Sequence, residues 1–414
     1  MRDSSHSHFI GLDIGTSRVR CVVGMFDVTD SGKPSIIGHG SAPNIGMRKG
    51  VVVHVDDVAE AIVQAITETE RISGIRIDHA TVNVNGSHVS GSNSKGVIAI
   101  SAANREITQE DRYRVEEAAT MVSIPPNREI IQFFAKNYSL DGQQNIKDPV
   151  GMRGIRLEVD AHIVTAATPN LRNLDLALEK AQLEASHHTL SGLAAAEAVL
   201  TRQQKEAGSV VLDIGAGTTN FIVIEDGEVQ HVAVLPIGGT HITNDLAIGL
   251  KTDLDIAEQV KLQHATLGTP KKTTAIVRVG EQSYNFDMDE VTMITEARVD
   301  ELLDYVEKEL QKIRRSRKLP GGVVITGGTA KLPGLAEFTK QKLQLAARVG
   351  HLQQVTGLVD TVNDPGYSTV VGLMLLDMLL TPGEQPVGSA NSLGASSAKA
   401  MGMAGSLFKK LRNK

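Results

Sequence analysis

The stretch Phe9-Ile10-Gly11-Leu12-Asp13-Ile14-Gly15-Thr16-Ser17 has an echo in Val210-Val211-Leu212-Asp213-Ile214-Gly215-Ala216-Gly217-Thr218-Thr219, and this pair decides the fold. Each copy is an apolar run that ends in aspartate, then a turn of small residues, then a second β-rich run over 19–24 or 221–224. Each is followed by a further turn signal, Asp30-Ser31-Gly32 in the first copy and Asp226-Gly227 in the second. Both therefore read as β-hairpins extended by a third strand. A duplicated antiparallel unit predicts a two-lobed α/β protein.

The rest of the chain fits that size. Its 414 residues exceed what one hydrophobic core organises, and 41% hydrophobic with 22% charged residues is globular composition. The net charge of −6 excludes a general cationic field for nucleic acid, and an aromatic content of 3% argues against base stacking. With Cys21 as the only cysteine, an intramolecular disulfide or a cysteine-based zinc site is impossible. The polar start, residues 1–8, lacks the apolar core of a signal peptide, and 372–380 is short and broken by Asp377, so no spanning segment is expected.

Between the copies, Val55–Ser73 carries apolar residues at helical spacing behind Asp56 and Asp57, and 171–183 reads as a helix capped by Thr168 with Pro169 at its first position. Residues 85–164 differ in character: alternating Gly and Ser, a helix capped by Thr108 with Asp111, then strand-like runs at 130–140 and 155–164. The expected organisation is lobe 1 core at 1–84 and 165–207, an inserted subdomain at 85–164, lobe 2 core at 208–249 and 301–382, and a lobe 2 insert at 250–300. A long helix is expected over 299–316. A Gly/Ser/Ala-rich linker follows at 383–403, and 404–414 forms an amphipathic end.

Small residues directly after a strand let backbone N–H groups approach an anion, so two such turns facing one another make a phosphate clamp from Gly15, Thr16 and Ser17 on one side and Gly215, Ala216, Gly217, Thr218 and Thr219 on the other. Asp13 and Asp213, at the strand ends, are placed to hold Mg²⁺ through water, because that ion keeps its hydration and prefers carboxylate with phosphate oxygens. A third motif, Gly327-Gly328-Thr329, follows the apolar run 323–326 and allows backbone to lie against a base or ribose.

Taken in this order, the three loops resemble the actin, Hsp70 and sugar-kinase superfamily, whose duplicated ribonuclease H-like core holds ATP between two lobes. That resemblance implies adenosine contacts from Glu258 and Lys261, and adds Gly239 of Pro236-Ile237-Gly238-Gly239-Thr240-His241 to the nucleotide site. A closer similarity is to the FtsA family of bacterial cell-division actins. It is carried by Asp148-Pro149-Val150-Gly151-Met152 with Gly154 and Leu157, by 237–247, and by Gly366-Tyr367 with Gly372. It implies an FtsA-type subdomain inserted in the first lobe, ATP with Mg²⁺, self-assembly into filaments or minifilaments, recruitment of later division proteins, and docking of the FtsZ C-terminal tail on the lobe 2 insert. There Lys251, Lys261, Lys271 and Lys272 would meet an acidic peptide.

Relatives that cleave ATP position water with Glu or Gln where Ser191 falls here, so slow or absent turnover is expected and no catalytic residue is assigned. At the C-terminus, Leu407, Phe408 and Leu411 share one helical face, while Lys409, Lys410, Arg412 and Lys414 supply four positive charges. That is the composition of an interfacial helix for anionic lipid, and the resemblance to FtsA implies that this lipid is the cytoplasmic side of the inner membrane at the division site. Two other readings stay open at this point: a pilus-assembly scaffold of the same kind, and a small-molecule kinase or phosphatase of the superfold.

Overall fold

The computed structural model describes residues 8–26, 33–101, 104–122, 124–270, 272–353 and 355–380. The turn signal at 30–32, Lys271, the linker at 383–403 and the amphipathic end at 404–414 lie outside the described residues.

Lobe 1 is built on a six-stranded sheet. His8–Ile14, Arg18–Phe26 and Pro34–Pro43 form an antiparallel meander, His79–Val84 joins parallel to the first strand, Glu184–Leu190 joins beyond it, and Thr356–Gly357 closes the opposite edge. Cover on both faces explains why the first strand is buried from Phe9 onward. Ile10, Leu12, Cys21 and Val23 face the helix Val55–Ser73, whereas Phe9 and Val22 face the helix Ser368–Leu380. Val58, Ala61, Ile62, Ala65 and Ile66 form the buried stripe of Val55–Ser73, and Gly74 ends it in the left-handed region.

Lobe 2 repeats the plan with five strands in the order Glu228–Leu235, Thr219–Glu225, Ser209–Ile214, Gly322–Thr326, Ala347–Val349. The hairpins of the two lobes share register. Asp13 stands opposite Arg20 and Asp213 opposite Asn220, and each turn is closed by its glycine, Gly15 N–H donating to Arg18 O at 3.0 Å and Gly215 N–H to Thr218 O at 2.9 Å.

The inserted subdomain is a four-stranded antiparallel sheet of Ser90–Ala99, Arg156–Ala167, Arg128–Leu140 and Gln143–Ile146, with the helix Gln109–Thr120 on one face. Thr108 and Asp111 form the reciprocal cap of that helix, and Ile107, Val115, Tyr138, Leu157 and Ile163 make a separate core. Its sheet meets the edge strand of lobe 2, where Val232 N–H donates to His162 Nε2 at 3.1 Å and Lys147 Nζ donates to Asp226 O at 2.8 Å.

Three expectations are corrected. Thr168 lies inside the helix Thr168–Lys180, whose N-cap is Ala167 without a side-chain bond. The long helix is Met288–Lys312, beginning earlier because Asp287 caps it by accepting from Asp289 N–H. The assignment of 301–382 to lobe 2 fails beyond the strand Ala347–Val349. Thr356–Gly357 pairs with Ser35 and Ile36, and Ser368–Leu380 packs through Val370, Val371 and Met374 on Phe9, Val22 and Ile36 of lobe 1.

Candidate functional site

A cavity of about 350 Å³ lies between the lobes, and the turns at the ends of the duplicated strands line it. Asp13, Gly15, Thr16 and Ser17 contribute from lobe 1, and Asp213, Gly215, Ala216 and Thr218 from lobe 2. Gly239, Glu258 and Lys261, with Gly327, Gly328 and Thr329, complete the wall on the lobe 2 side.

Two residues of the proposed clamp stand elsewhere. Thr219 is fully buried and donates to Ile237 O at 2.8 Å, because strand alternation turns it away from the cleft. Gly217 packs instead against Thr16 and Lys49, sealing the lobes together beside the cavity.

The loops are tied to one another through one carbonyl. Gly215 O accepts from Gly239 N–H at 2.9 Å and from the Thr329 hydroxyl at 3.1 Å, which locks three separate segments into one rim. Gly327 has φ +85°, and a Cβ there would stand 2.5 Å from Ile214 O and 2.6 Å from Asp213 Oδ1, so only glycine fits. Across the cleft, Asn85 Nδ2 donates to Thr218 Oγ1 at 3.1 Å, joining lobe 1 to lobe 2.

Both aspartates are held by amides. Asn83 Nδ2 donates to Asp13 Oδ1 at 2.8 Å while its Oδ1 accepts from Ile14 N–H at 2.7 Å. Asn220 Nδ2 and the Thr369 hydroxyl donate to Asp213 Oδ2 at 2.9 and 3.1 Å. Burial pushes the Asp13 carboxyl up to about 7, with Arg20 pulling it down and Asp213 pushing it further up. Burial raises Asp213 as well, against the bonds from Asn220 and Thr369. Two carboxylates that resist ionisation call for positive charge in the space between them.

Arg20 supplies part of that charge. It lines the cavity opposite Asp13, its guanidinium lies 5.2 Å from the Tyr367 ring centre, and its buried Nε has no hydrogen-bond partner among the described residues. The sequence reading missed it, although its place across the hairpin from Asp13 was a usable signal. Ser191 and Thr369 also line the cavity, each in the opening turn of a helix, Ser191–Val199 and Ser368–Leu380, so two helix N-termini face it.

Glu258 and Lys261 are in ion-pair contact at 2.7 Å, and Lys261 Nζ also donates to Thr243 Oγ1 at 2.9 Å. Lys261 is thereby committed to the cleft, which removes it from the surface that an acidic peptide would use. Ser191 Oγ accepts from Asn83 Nδ2 at 3.0 Å, whereas Glu197 pairs with Lys205 at 2.6 Å outside the cavity lining.

No group of three or more His, Cys, Asp or Glu side chains that could hold a metal ion exists among the described residues. A divalent cation between Asp13 and Asp213 would therefore need oxygens from a bound ligand, the usual donor set for magnesium on a phosphate chain. The buried carboxylates, the unsatisfied Arg20 Nε and the small-residue turns that line the cavity fit such a pair.

The model "SHS2 domain inserted in FTSA" matches residues 86–165, and "Cell division protein FtsA" matches residues 210–372. The cell-division protein FtsA of Pseudomonas aeruginosa is 36% identical over 371 residues, covering 88% of each chain. This chain belongs to the FtsA family. The FtsA of Bacillus subtilis is 37% identical over 88% of this chain and 82% of its own length. Solved structures place this FtsA-family chain in the actin-like fold. The PilM-PilN type IV pilus biogenesis complex superposes with a TM-score of 0.64 at 18% identity over 89% of this chain and 98% of that one. MreB5 of Spiroplasma citri bound to ADP gives 0.53 at 13% identity over 90% and 96%. The MamK double helical filament gives 0.52 at 15% over 92% and 99%.

Proposed function

We infer that this FtsA-family protein binds ATP with Mg²⁺ in the interlobe cleft, assembles with copies of itself, and tethers FtsZ filaments to the cytoplasmic face of the inner membrane. The observation that carries the nucleotide reading is the convergence of three glycine loops, two buried carboxyls and the Arg20 guanidinium on one cavity. Support from outside the chain is the ADP complex of an MreB relative with the same fold. Asp13 and Asp213 would hold the hydrated cation, and Arg20 with the two helix N-termini would face the phosphates. Glu258, Lys261 and Gly328 would border the nucleoside. Bound Mg·ATP would supply a charge bridge between the lobes.

The chain's own residues favour holding over cleaving. Ser191 stands where a water-activating carboxylate would be needed, and its hydroxyl is already engaged by Asn83. The nucleotide then acts as a ligand that fixes the lobes in an assembly-competent arrangement. Filament formation has support in the MamK double helical filament, which shares the fold.

For the membrane, the basic and apolar residues 407–414 provide the tether, and many weak tails in one filament add up to stable attachment. No helix among the described residues is long and apolar enough to cross a membrane. On the lobe 2 insert, exposed Lys251 and Lys272 remain for the acidic FtsZ tail, and Leu254 and Met293 of the same insert are exposed apolar side chains. Later division proteins would join this assembly.

Titration calorimetry with Mg·ATP tests the cleft, and the absence of binding to any adenine nucleotide would remove the reading. Sedimentation with anionic liposomes tests the tether: deletion of residues 406–414 should abolish ATP-promoted pelleting, and unchanged pelleting would refute it.

A further inference from the structure

The Asp213 carboxylate receives two donors that belong to different bodies. Asn220 sits across its own hairpin and moves with lobe 2, whereas Thr369 opens the helix Ser368–Leu380, which packs on lobe 1. The far half of that helix is fastened to lobe 1. Asp377, 2% exposed, accepts from Ile10 N–H at 2.9 Å and from the Thr81 hydroxyl at 2.7 Å. Midway, Gly372 lies directly on the backbone of Ala194. A single 13-residue helix is thus bonded to the lobe 2 aspartate at its first turn and to the lobe 1 sheet at its last. A close-packed helix answers a pull at one end by moving as a body, so a displacement of Asp213 is felt about 20 Å away at Leu380.

We propose that Thr369 is a positioning residue of the cleft: its hydroxyl orients the Asp213 carboxylate, and through it occupancy of the cleft is transmitted along the last helix to Leu380, where the chain passes into its C-terminal tail. The inference rests on the nucleotide reading above. It differs from that reading in making the last helix a reporter of occupancy. Asn220 alone fixes the same oxygen but carries no information out of lobe 2. Thr369 is 5% exposed and lines the cavity, so its hydroxyl is oriented by the fold before any ligand arrives.

The test uses the full-length protein, with Mg²⁺ and ATP as probes and hydrogen exchange of residues 368–380 as the readout. In the wild type, Mg·ATP should slow exchange across this helix. Thr369→Val should weaken the Mg²⁺-dependent part of ATP binding about tenfold and abolish the slowing, and Thr369→Ser should restore both. Asp377→Asn, at the other end and outside the cavity lining, should keep ATP affinity and lose the slowing beyond Gly372. Should Thr369→Val fail to fold, Asp377→Asn carries the test alone. Wild-type slowing retained in Thr369→Val or in Asp377→Asn, or wild-type binding without any slowing, would overturn the relay and leave nucleotide binding intact. A wild type that binds no Mg·ATP would instead overturn both.

Discussion

Gly372 and Ala194 touch backbone to backbone: a Cβ built on Gly372 would stand 1.7 Å from Ala194 O. This is where the helices Ser191–Val199 and Ser368–Leu380 cross, both running away from the cleft. The contact cannot be relieved by a rotamer change, because both partners are main chain. Gly372→Ala should cost about 1–3 kcal/mol or more, read as a lower thermal midpoint. Gly192→Ala is the control on the facing helix, since its nearest neighbour, Asn220 Cβ, is at 3.4 Å and alanine favours the helix.

Arg20→Met should weaken ATP binding about 10- to 100-fold and leave adenosine binding nearly unchanged. Arg20 also lies on the Tyr367 ring and lowers the Asp13 carboxyl, effects common to both ligands, so the loss specific to ATP reads its action on the phosphates. Calorimetry with the two ligands separates the effects, and an equal loss for both would mean that Arg20 acts through the fold.

The pH response of ATP binding should change sign with magnesium. Asp13 ionises at about 7. Without Mg²⁺, rising pH adds a negative charge beside the phosphates and binding weakens. With Mg²⁺, the ionised carboxylate is the form that holds the hydrated cation, so binding strengthens over the same range. Affinities measured at pH 6 and pH 8 with and without chelator provide the check.

At the junction of the inserted subdomain and lobe 2, burial pushes the Glu228 carboxyl up to about 7, with Lys147 and Arg112 only partly offsetting it. Its folded value lies above its unfolded one, so folding favours the protonated form. The stability this gives is present below the ordinary carboxylate value and is lost as pH rises through about 7. Glu228→Gln should therefore stabilise the protein at pH 8 by about 1–3 kcal/mol and have little effect at pH 4. Denaturant titrations at the two values read the difference.

Ser191→Glu should raise steady-state phosphate release, because it places a carboxylate in the cavity wall at the start of the helix Ser191–Val199. Phosphate release unchanged from the wild type would show that turnover is limited elsewhere.

Much of the architecture was legible because its signals are local. The duplicated hairpins, the helix Val55–Ser73 and the Thr108 cap follow from apolar spacing and from residues that bond their own neighbours. The two clamp residues misplaced have different causes: Thr219 opens a strand whose alternation turns its side chain inward, and Gly217 lies in the turn, packed against Thr16 and Lys49. Thr369 carried no signal at all, since it joins Asp213 only through tertiary packing. The same cause moved the last helix into lobe 1. Composition marks it as buried but not against which sheet, and the answer lies in Phe9 and Val22 meeting Val370 and Met374, and in Ile10 bonding Asp377, across almost the whole length of the chain.

The crossing of the chain at Thr356–Gly357 has a consequence for synthesis. The outer strand of the first sheet and the helix covering one of its faces are encoded after the second lobe. A nascent chain released as far as Val349 would expose Phe9, Val22 and Ile36 to solvent, with nothing yet made to cover them. That apolar face of the first sheet therefore stays uncovered until translation has passed Leu380.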